Sequence, residues 1–226
     1  GWFRLGDKDL GTHLERSRRL AAGDPLSAIT RDFCVAWGIQ CAVLPMSDQP
    51  VRTIVESDEG DLAFQEYFVR RRFEPVVRGF RFQGAEAAQP APGVLDAIAA
   101  ADLVVFCPSN PWVSIAPILA VPGIREALTE KAVIAVSPIV GGAALKGPAA
   151  KIYQELGFEP SSLAVAEHYR GQIQGLVIDS QDAAQAGAIE ARAIMPLVTD
   201  SIMRDAAGRL RLAREVLDFG QGLRKS

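Results

Sequence analysis

Three segments of the chain combine proline with small hydrogen-bonding residues, and each follows a short apolar run. They are Pro45-Met46-Ser47-Asp48, Pro108-Ser109-Asn110-Pro111 and Ser137-Pro138-Ile139-Val140-Gly141-Gly142. Proline makes a loop rigid, and serine or asparagine offers a donor and an acceptor without bulk. Such loops suit a site that holds a polyfunctional ligand still. Turns before helices are also rich in these residues because helices need caps, and for any single loop this structural alternative is the commoner one.

The apolar runs that precede these loops predict strands. Residues 103–107 and 132–136 are uninterrupted apolar segments with helical patterns between them, which is typical of a parallel sheet covered on both faces. We predict an α/β fold, a Rossmann-like and mostly parallel sheet with helices on both faces. Ligands bind such sheets beyond the carboxyl ends of the strands, so we expect the three loops to line one cleft. The predicted strands are residues 41–44, 103–107, 132–136, 163–166, 176–178 and 193–197.

A segment of different character occupies residues 49–85, which we predict to be a small β-rich insertion. Its predicted strands are a hairpin of residues 51–56 and 62–69 about a turn at 57–60, and a third strand at 76–82. Residues 1–48 and 86–226 then form the Rossmann-like core. The helices predicted in this core are residues 9–22, 25–37, 94–101, 122–131 and 147–156, with two more near 181–190 and 202–218.

The loop from Gly141 to Pro148 ends where a helix is predicted to begin. Backbone N–H groups and the helix dipole favour a phosphate at such a position, and Lys146 would add a positive charge. The loop has neither the GK[ST] ending of a Walker A motif nor a GxGxxG pattern. A flexible connection is therefore the alternative to a phosphate-binding loop.

Arg4 and Asp7 lie before the first predicted helix, for which Asp7 or Asp9 is the candidate N-cap. An aspartate at this place is typical of a helix N-cap. The functional alternative places Arg4 and Asp7 at the mouth of the cleft as polar anchors for a ligand.

The composition excludes several classes of protein. A net charge of -3 and a pI of about 5.5 give no overall positive field, which disfavours nucleic-acid binding by bulk electrostatics. No apolar run reaches the roughly 18 residues of a membrane span, and no signal peptide is present in the sequence. We therefore expect a cytoplasmic protein without a nucleic-acid or membrane partner.

The histidines and cysteines do not predict a site of their own. His13 and His168 lie far apart in the sequence, which disfavours a histidine-based metal site or a catalytic triad. The cysteines, Cys34, Cys41 and Cys107, have apolar neighbours and no metal-ligand spacing, so we expect buried thiols in a reducing compartment.

Long strings of residues at these loops resemble one known family. The strings are WFRLGDKDLGTH (2–13), LPMSDQPVRT (44–53), FQEYFV (64–69), PSNPWVSIAPILAVPGIR (108–125) and SPIVGG with KGPAAK (137–151). They resemble the 2-phospho-L-lactate transferases of coenzyme F-420 biosynthesis, also called LPPG:Fo transferases. The resemblance covers nearly the whole chain, and its motifs are long.

The resemblance implies a reaction. The family transfers a 2-phospholactyl or enolpyruvyl phosphate group from a guanosine diphosphate-linked substrate to the terminal ribityl hydroxyl of the deazaflavin Fo, and GMP leaves. A Rossmann-like fold with a smaller inserted domain, a homodimer and a requirement for Mg²⁺ are also implied. Phosphoryl transfer of this kind needs positioning and charge neutralisation more than a covalent nucleophile.

The resemblance also implies roles for particular residues. Arg4 and Asp7 are the implied contacts of Fo, and Asp7 or Asp48 is a candidate for a base. The residues implied to bind the guanylated substrate are Asp48, Ser109, Asn110, Pro111, Ser114, Ser137 and Gly141. In the family, a GGTG phosphate loop and metal-binding aspartates precede the point where this sequence begins. We therefore expect a C-terminal portion of a longer protein, with the magnesium ligands upstream.

Two other functions are weighed against the transferase. A non-catalytic regulator that binds nucleotide sugars shares the superfamily and its sheet; tight binding of a UDP-sugar without binding of Fo would favour it. A nicotinamide dehydrogenase shares the general architecture, but the sequence lacks GxGxxG and an acidic residue about 20 positions further on.

Overall fold

The computed structural model describes residues 5–144 and 148–223. The chain divides into two compact units, which are described separately below. They consist of the residues up to Ala99 with Pro117–Glu126, and of Ala100–Ala116 with the described residues from Ala127 onward.

The first unit opens with two helices, α1 (Asp7–Ala21) and α2 (Leu26–Ala36), which confirm the helices predicted there. α1 has acidic residues in its first turn and arginines in its last turn, the arrangement that the helix macrodipole favours. At the end of α1 the Arg19 guanidinium donates to Asp24 and Asp32 at 2.6 and 2.8 Å. These bonds connect the end of α1 to α2.

The β-rich segment of the first unit is a three-stranded antiparallel sheet. Its strands are β1 (Arg52–Ser57), β2 (Gly60–Ala63) and β3 (Val77–Gln83), in the order β2-β1-β3. The hairpin and the third strand are as predicted, except that β2 ends at Ala63. Residues Glu66–Arg70 form a π-helix where the sequence predicted continued strand. Helical spacing brings Phe64 and Phe68 into a stack, with ring centroids 5.3 Å apart.

Four further strands form one parallel sheet in the second unit, which confirms the predicted α/β fold. They are β4 (Leu103–Phe106), β5 (Ala132–Val136), β8 (Gly175–Asp179) and β9 (Met195–Thr199), in the order β4-β5-β8-β9, and a small hairpin of β6 (Ile139–Val140) and β7 (Ala143–Ala144) follows β5. Every residue of β8 is buried, as expected for a strand covered on both faces. The remaining helices are α3 (Val94–Ala100), α4 (Ala116–Leu119), α5 (Ile124–Ala127), α6 (Ala149–Glu155), α7 (Ser162–His168), α8 (Ala186–Glu190) and α9 (Ala206–Leu223).

The long helix α9 covers one face of the parallel sheet. Leu212 and Val216 of α9 pack into a buried cluster with Ile134 of β5 and Val177 of β8. The close approach of α9 to β4 depends on Gly220, because a Cβ there would clash with a methyl carbon of Leu103. This packing keeps the central strands out of water and fixes the sheet whose edge carries the loops.

Two predicted strands are wrong. Residues 41–44 form no strand, and their side chains are exposed. Residues 163–166 lie inside α7, where the Ser161 hydroxyl caps the helix by accepting from the backbone N–H of Ala164 at 3.0 Å. A four-residue apolar run fits a buried helix as well as a strand, and here the serine cap decides for the helix.

The unit boundaries and two cysteines also differ from expectation. The structure groups the residues up to Asp48 with the β-rich segment, whereas the sequence predicted residues 1–48 in the core with 86–226. Cys34 is buried as expected, but Cys41 and Cys107 are exposed. Exposure follows from their places in connecting segments, outside helices and strands.

Candidate functional site

The carboxyl ends of the four parallel strands lie at one edge of the sheet in the second unit. The segments that follow them are residues 107–110 after β4, 137–138 after β5, Ser180–Gln185 after β8 and 200–205 after β9. Ligands bind open parallel sheets at this edge, so these segments are the candidate site.

After β4, the predicted residues Ser109, Asn110, Pro111 and Ser114 surround the start of a short helix, Pro111–Ile115. The Asn110 side-chain oxygen accepts from the backbone N–H groups of the next turn, at 2.9 Å from Trp112 and 3.3 Å from Val113. Pro111 is buried at the first helical position, and the other three are half-buried. The cap uses the amide oxygen of Asn110 and leaves its Nδ2 group available for another partner.

After β5, the predicted residues Ser137 and Gly141 lie in different environments. Ser137 is buried, and its hydroxyl donates to the carbonyl of Ile139 at 2.9 Å. Gly141 and Gly142 are exposed and form the turn between β6 and β7, with φ angles of +57° and +76°. Ser137 therefore shapes the loop from inside, while the glycine turn is the part that faces solvent.

A network of buried polar side chains forms hydrogen bonds to this loop. The Ser162 hydroxyl at the start of α7 lies 3.1 Å from the Ser137 hydroxyl and 3.2 Å from Oδ2 of Asp182. The same Oδ2 accepts from the backbone N–H of Gly141 at 3.1 Å, and Oδ1 accepts from Nε2 of Gln185 at 3.1 Å. Ser162 and Asp182 are both buried.

The sequence analysis missed Ser162, Asp182 and Gln185. They lie twenty or more residues beyond the loop they support, on α7 and on the 3₁₀-helix Ser180–Gln185. Serine and aspartate at helix starts are ordinary caps, so their types alone gave no signal. The signal available for Asp182 and Gln185 was their position after strand β8, whose carboxyl end meets the same edge of the sheet. Ser162 precedes β8 and carried no such signal.

Aromatic side chains connect the segment after β4 to the helices α6 and α7. The Trp112 ring packs edge-on against Tyr153 of α6, with centroids 4.4 Å apart, and against His168 of α7 at 5.0 Å. The Tyr153 hydroxyl is buried without a hydrogen-bond partner in the described residues, and burial raises the pKa of this phenol. Trp112 therefore joins the loop after β4 to the helix that follows the glycine turn.

A second buried carboxylate, Asp179, ends strand β8. Its Oδ2 accepts from the N–H and hydroxyl of Ser201 at 2.9 and 3.1 Å, and its Oδ1 accepts from the N–H of Gln181 at 3.0 Å. Burial by itself raises the pKa of a carboxyl group, but the hydrogen bonds from Gln181 and Ser201 outweigh it and lower the pKa of Asp179. Asp179 is therefore an ionised structural anchor of the loop after β9.

Two predicted residues lie in the first unit. Asp7 is exposed in the first turn of α1, which begins after Gly6, so it is not the N-cap. The Asp48 carboxylate accepts from the N–H and hydroxyl of Ser27 at 2.7 and 2.9 Å, so it stabilises the start of α2. Asp48 does not follow a strand, contrary to the premise on which its loop was selected. Arg4 and Lys146 lie outside the described residues.

The described residues do not fit a metal centre. Within 5–144 and 148–223, no three His, Cys, Asp or Glu side chains are placed to hold a metal ion. None of the helices described combines the length and apolar character that a membrane crossing needs.

The second unit is thus an α/β unit of the Rossmann-like class, with polar loops and a glycine turn at the carboxyl edge of its parallel sheet. Residues 2–211 match the sequence model of a family described as 2-phospho-L-lactate transferase CofD. The match covers most of the chain, including every loop described above. The chain belongs to this family.

Curated relatives agree with the family match. The chain is 44% identical over 231 residues to a phosphoenolpyruvate transferase of Streptomyces griseus, which covers 99% of this chain and 73% of the relative. It is 40% identical over 223 residues to a 2-phospho-L-lactate transferase of Methanopyrus kandleri, covering 95% of this chain and 69% of the relative.

Solved structures of protein BH3568 from Bacillus halodurans share the fold. Two of them superpose with TM-scores of 0.58 and 0.61, at 16% and 15% identity, and one is described as a member of the UPF0052 family. The matches cover 83% and 88% of this chain, and the chain spans 64% and 69% of those chains. At this identity the likeness shows the fold alone.

Proposed function

We propose that the protein transfers a 2-phospholactyl or enolpyruvyl phosphate group from a guanosine diphosphate-linked substrate to the deazaflavin Fo in coenzyme F-420 biosynthesis. The observation that carries this proposal is the family match over residues 2–211. Relatives named phosphoenolpyruvate transferase and 2-phospho-L-lactate transferase, both at 40% identity or more, support the two forms of the transferred group.

In the proposed reaction, the terminal ribityl hydroxyl of Fo attacks the phosphorus that carries the lactyl or enolpyruvyl group. A bond forms between the hydroxyl oxygen and this phosphorus, and the bond from the phosphorus to the bridging oxygen breaks. GMP leaves with the bonding electron pair, and the hydroxyl loses its proton. The product is a phosphodiester of the deazaflavin.

The geometry supports positioning as the contribution of the second unit. Asn110, which begins a rigid helical turn, offers its Nδ2 group, and the exposed Gly141–Gly142 turn allows a phosphate to approach the backbone without meeting a side chain. Backbone N–H groups are suitable partners for phosphate oxygens. Because the N–H of Gly141 donates to Asp182, the N–H of Gly142 is the one that this turn would offer. We assign Asn110, Gly141 and their neighbours Ser109 and Ser114 to the guanylated substrate.

The transfer is tested with the intact purified protein, Fo, Mg²⁺ and each guanylated substrate in turn. We expect mass spectrometry to detect GMP and a phosphodiester-bearing deazaflavin, with the faster substrate identifying the natural group. Absence of product with both substrates, together with calorimetric binding of a UDP-sugar and none of Fo, would contradict the proposal in favour of a regulator.

Two further parts of the proposal have their own measurements. We propose that the reaction requires Mg²⁺, so chelation with EDTA should abolish product formation and added Mg²⁺ should restore it. We also propose that the protein is a cytoplasmic homodimer, so light scattering after gel filtration should give twice the mass of one chain.

A further inference from the structure

The glycine turn of the candidate site depends on support from outside its own hairpin. β6 and β7 contain two residues each, and a two-stranded hairpin of this size is not stable by itself in water. Both turn residues have positive φ angles, and the turn is exposed. Some interaction from another element must therefore fix its conformation.

Asp182 supplies that interaction. Its side chain is buried, with 4% of the residue exposed, and it reaches the turn from the 3₁₀-helix that follows β8. Oδ2 accepts from the backbone N–H of Gly141 at 3.1 Å and from the Ser162 hydroxyl at 3.2 Å. The turn is thus bonded directly to the rigid edge of the parallel sheet.

The network admits only a carboxylate at position 182. The N–H of Gly141 can only donate, so the atom facing it must accept. On the other side, Gln185 Oε1 accepts from the backbone N–H of Leu163 at 2.8 Å, which turns Nε2 toward Asp182 Oδ1 at 3.1 Å. Both oxygens of Asp182 must therefore accept. An asparagine would place its NH₂ group against a donor in either orientation.

We propose that Asp182 is a positioning residue that orients the Gly141–Gly142 turn for the phosphate groups of the guanylated substrate. This inference rests on the proposed function. Asp182 acts through Gly141 and does not touch the substrate, because a carboxylate and a phosphate are both anionic and Asp182 is buried. Its loss therefore weakens binding of the guanylated substrate and leaves binding of Fo unchanged.

The decisive experiment compares Asp182→Asn with the double variant Asp182→Asn/Gln185→Glu. In the double variant, the asparagine oxygen accepts from Gly141, its NH₂ group donates to the new glutamate, and the glutamate still accepts from Leu163. We expect Asp182→Asn to raise the KM for the guanylated substrate by about tenfold or more. We expect the KM for Fo to stay unchanged, and the double variant to recover most of the loss.

A matched pair of serines tests the same network without changing a charge. Ser162→Ala removes a hydroxyl that donates to Asp182, and Ser57→Ala removes one that donates to the carbonyl of Gly60 at 2.7 Å in the antiparallel sheet of the first unit. Both serines are buried, so similar losses of stability are expected. We expect only Ser162→Ala to raise the KM for the guanylated substrate, which keeps the test decisive where Asp182→Asn does not fold.

Hydrogen–deuterium exchange separates this inference from the transfer reaction. Peptides that span the turn should exchange faster in Asp182→Asn than in the wild type, and the double variant should return them toward the wild-type rate. A wild-type protein without transfer activity would contradict the proposed function, while faster exchange would still support the control of the turn by Asp182. A folded Asp182→Asn variant with wild-type exchange and wild-type KM values would overturn the inference.

Discussion

Asn110 combines a structural task with a proposed binding task on one side chain. Its oxygen caps the helix Pro111–Ile115, and its Nδ2 group is assigned to the guanylated substrate. The two tasks use different atoms of the amide. They can therefore be separated by substitution.

Asn110→Asp keeps an oxygen for the cap but replaces the NH₂ group with a negative charge. We expect the melting temperature of this variant to stay near the wild-type value, and the KM for the guanylated substrate to rise more than about tenfold, because the aspartate repels phosphate. Asn110→Ala should lose both functions, including about 1 kcal/mol of stability from the cap. An Asn110→Asp protein with a wild-type KM would show that Nδ2 does not meet the substrate.

Asp179 makes stability depend on pH in a defined direction. Its pKa is lower in the folded protein than in the unfolded chain, where an aspartate titrates near about 3.9. Its stabilising contribution is complete above that value and is lost as the pH falls through the lower, folded pKa. Both of its oxygens face N–H donors, so asparagine cannot replace it.

We expect Asp179→Asn to lower the free energy of unfolding by about 1–3 kcal/mol at neutral pH. The difference from wild type should shrink as the pH falls below about 4. Urea unfolding at a series of pH values measures it, with Asp205→Asn as the control for an exposed aspartate that caps α9. A difference that stays constant down to acid pH would contradict the assigned ionised state.

The position of the candidate loops was predictable from the sequence where they follow strands, and the binding roles of their residues stay predictions. Asn110 and Gly141 follow β4 and β5 closely, so the general rule for parallel sheets located them. Asp182 and Ser162 could not be found in this way, because their importance comes from hydrogen bonds to a backbone group that is distant in the sequence. Asp48 was predicted by the same rule, but residues 41–44 before it form no strand, so the rule does not apply to Asp48.

Among the elements, several strands and the amphipathic helix α2 were predicted well. β4 and β5 are uninterrupted apolar runs, β8 contains the apolar run 176–178, and α2 has a clear helical period. The strand prediction for residues 163–166 was wrong, because four apolar residues fit a helix and a strand equally. The strand predicted to continue after Ala63 was wrong for another reason. The aromatic residues of this run are spaced for a helical turn in which Tyr67 is buried.

The packing of α9 on the sheet gives a prediction at the scale of this helix. A Cβ at Gly220 would lie 2.3 Å from a methyl carbon of Leu103, whereas a Cβ at Gly222 would meet no atom within 4 Å. Alanine improves helix propensity equally at both positions. We expect Gly220→Ala to be less stable than Gly222→Ala by about 1–3 kcal/mol, because only the first overpacks the core. Equal midpoints in urea unfolding would show that α9 can shift to admit a methyl group.

The net charge of this chain bears on how an anionic substrate arrives. The chain has a net charge of -3, so it does not attract a guanylated substrate over long distances. Binding must then depend on short-range N–H groups and local charges. Long-range steering would instead make the rate fall steeply with salt.

We expect kcat/KM for the guanylated substrate to change less than about threefold between 0.01 and 0.15 M salt. Over this range the Debye length falls from roughly 30 to roughly 8 Å, which would remove any long-range attraction. Steady-state kinetics at fixed Mg²⁺ measures the change. A tenfold fall would show that a cluster of basic residues, and not the glycine turn, captures the substrate.

The packing of Trp112 makes its fluorescence a probe of the loop after β4. Trp112 follows Pro111 directly, and its indole packs against Tyr153 of α6 and His168 of α7. It therefore connects the segment after β4 to the helix that follows the glycine turn. The intensity and wavelength of its fluorescence depend on this packing. Replacing Trp2 and Trp37 with phenylalanine would leave Trp112 as the single tryptophan. A rearrangement that alters its packing would then change the emission wavelength or intensity without an added label.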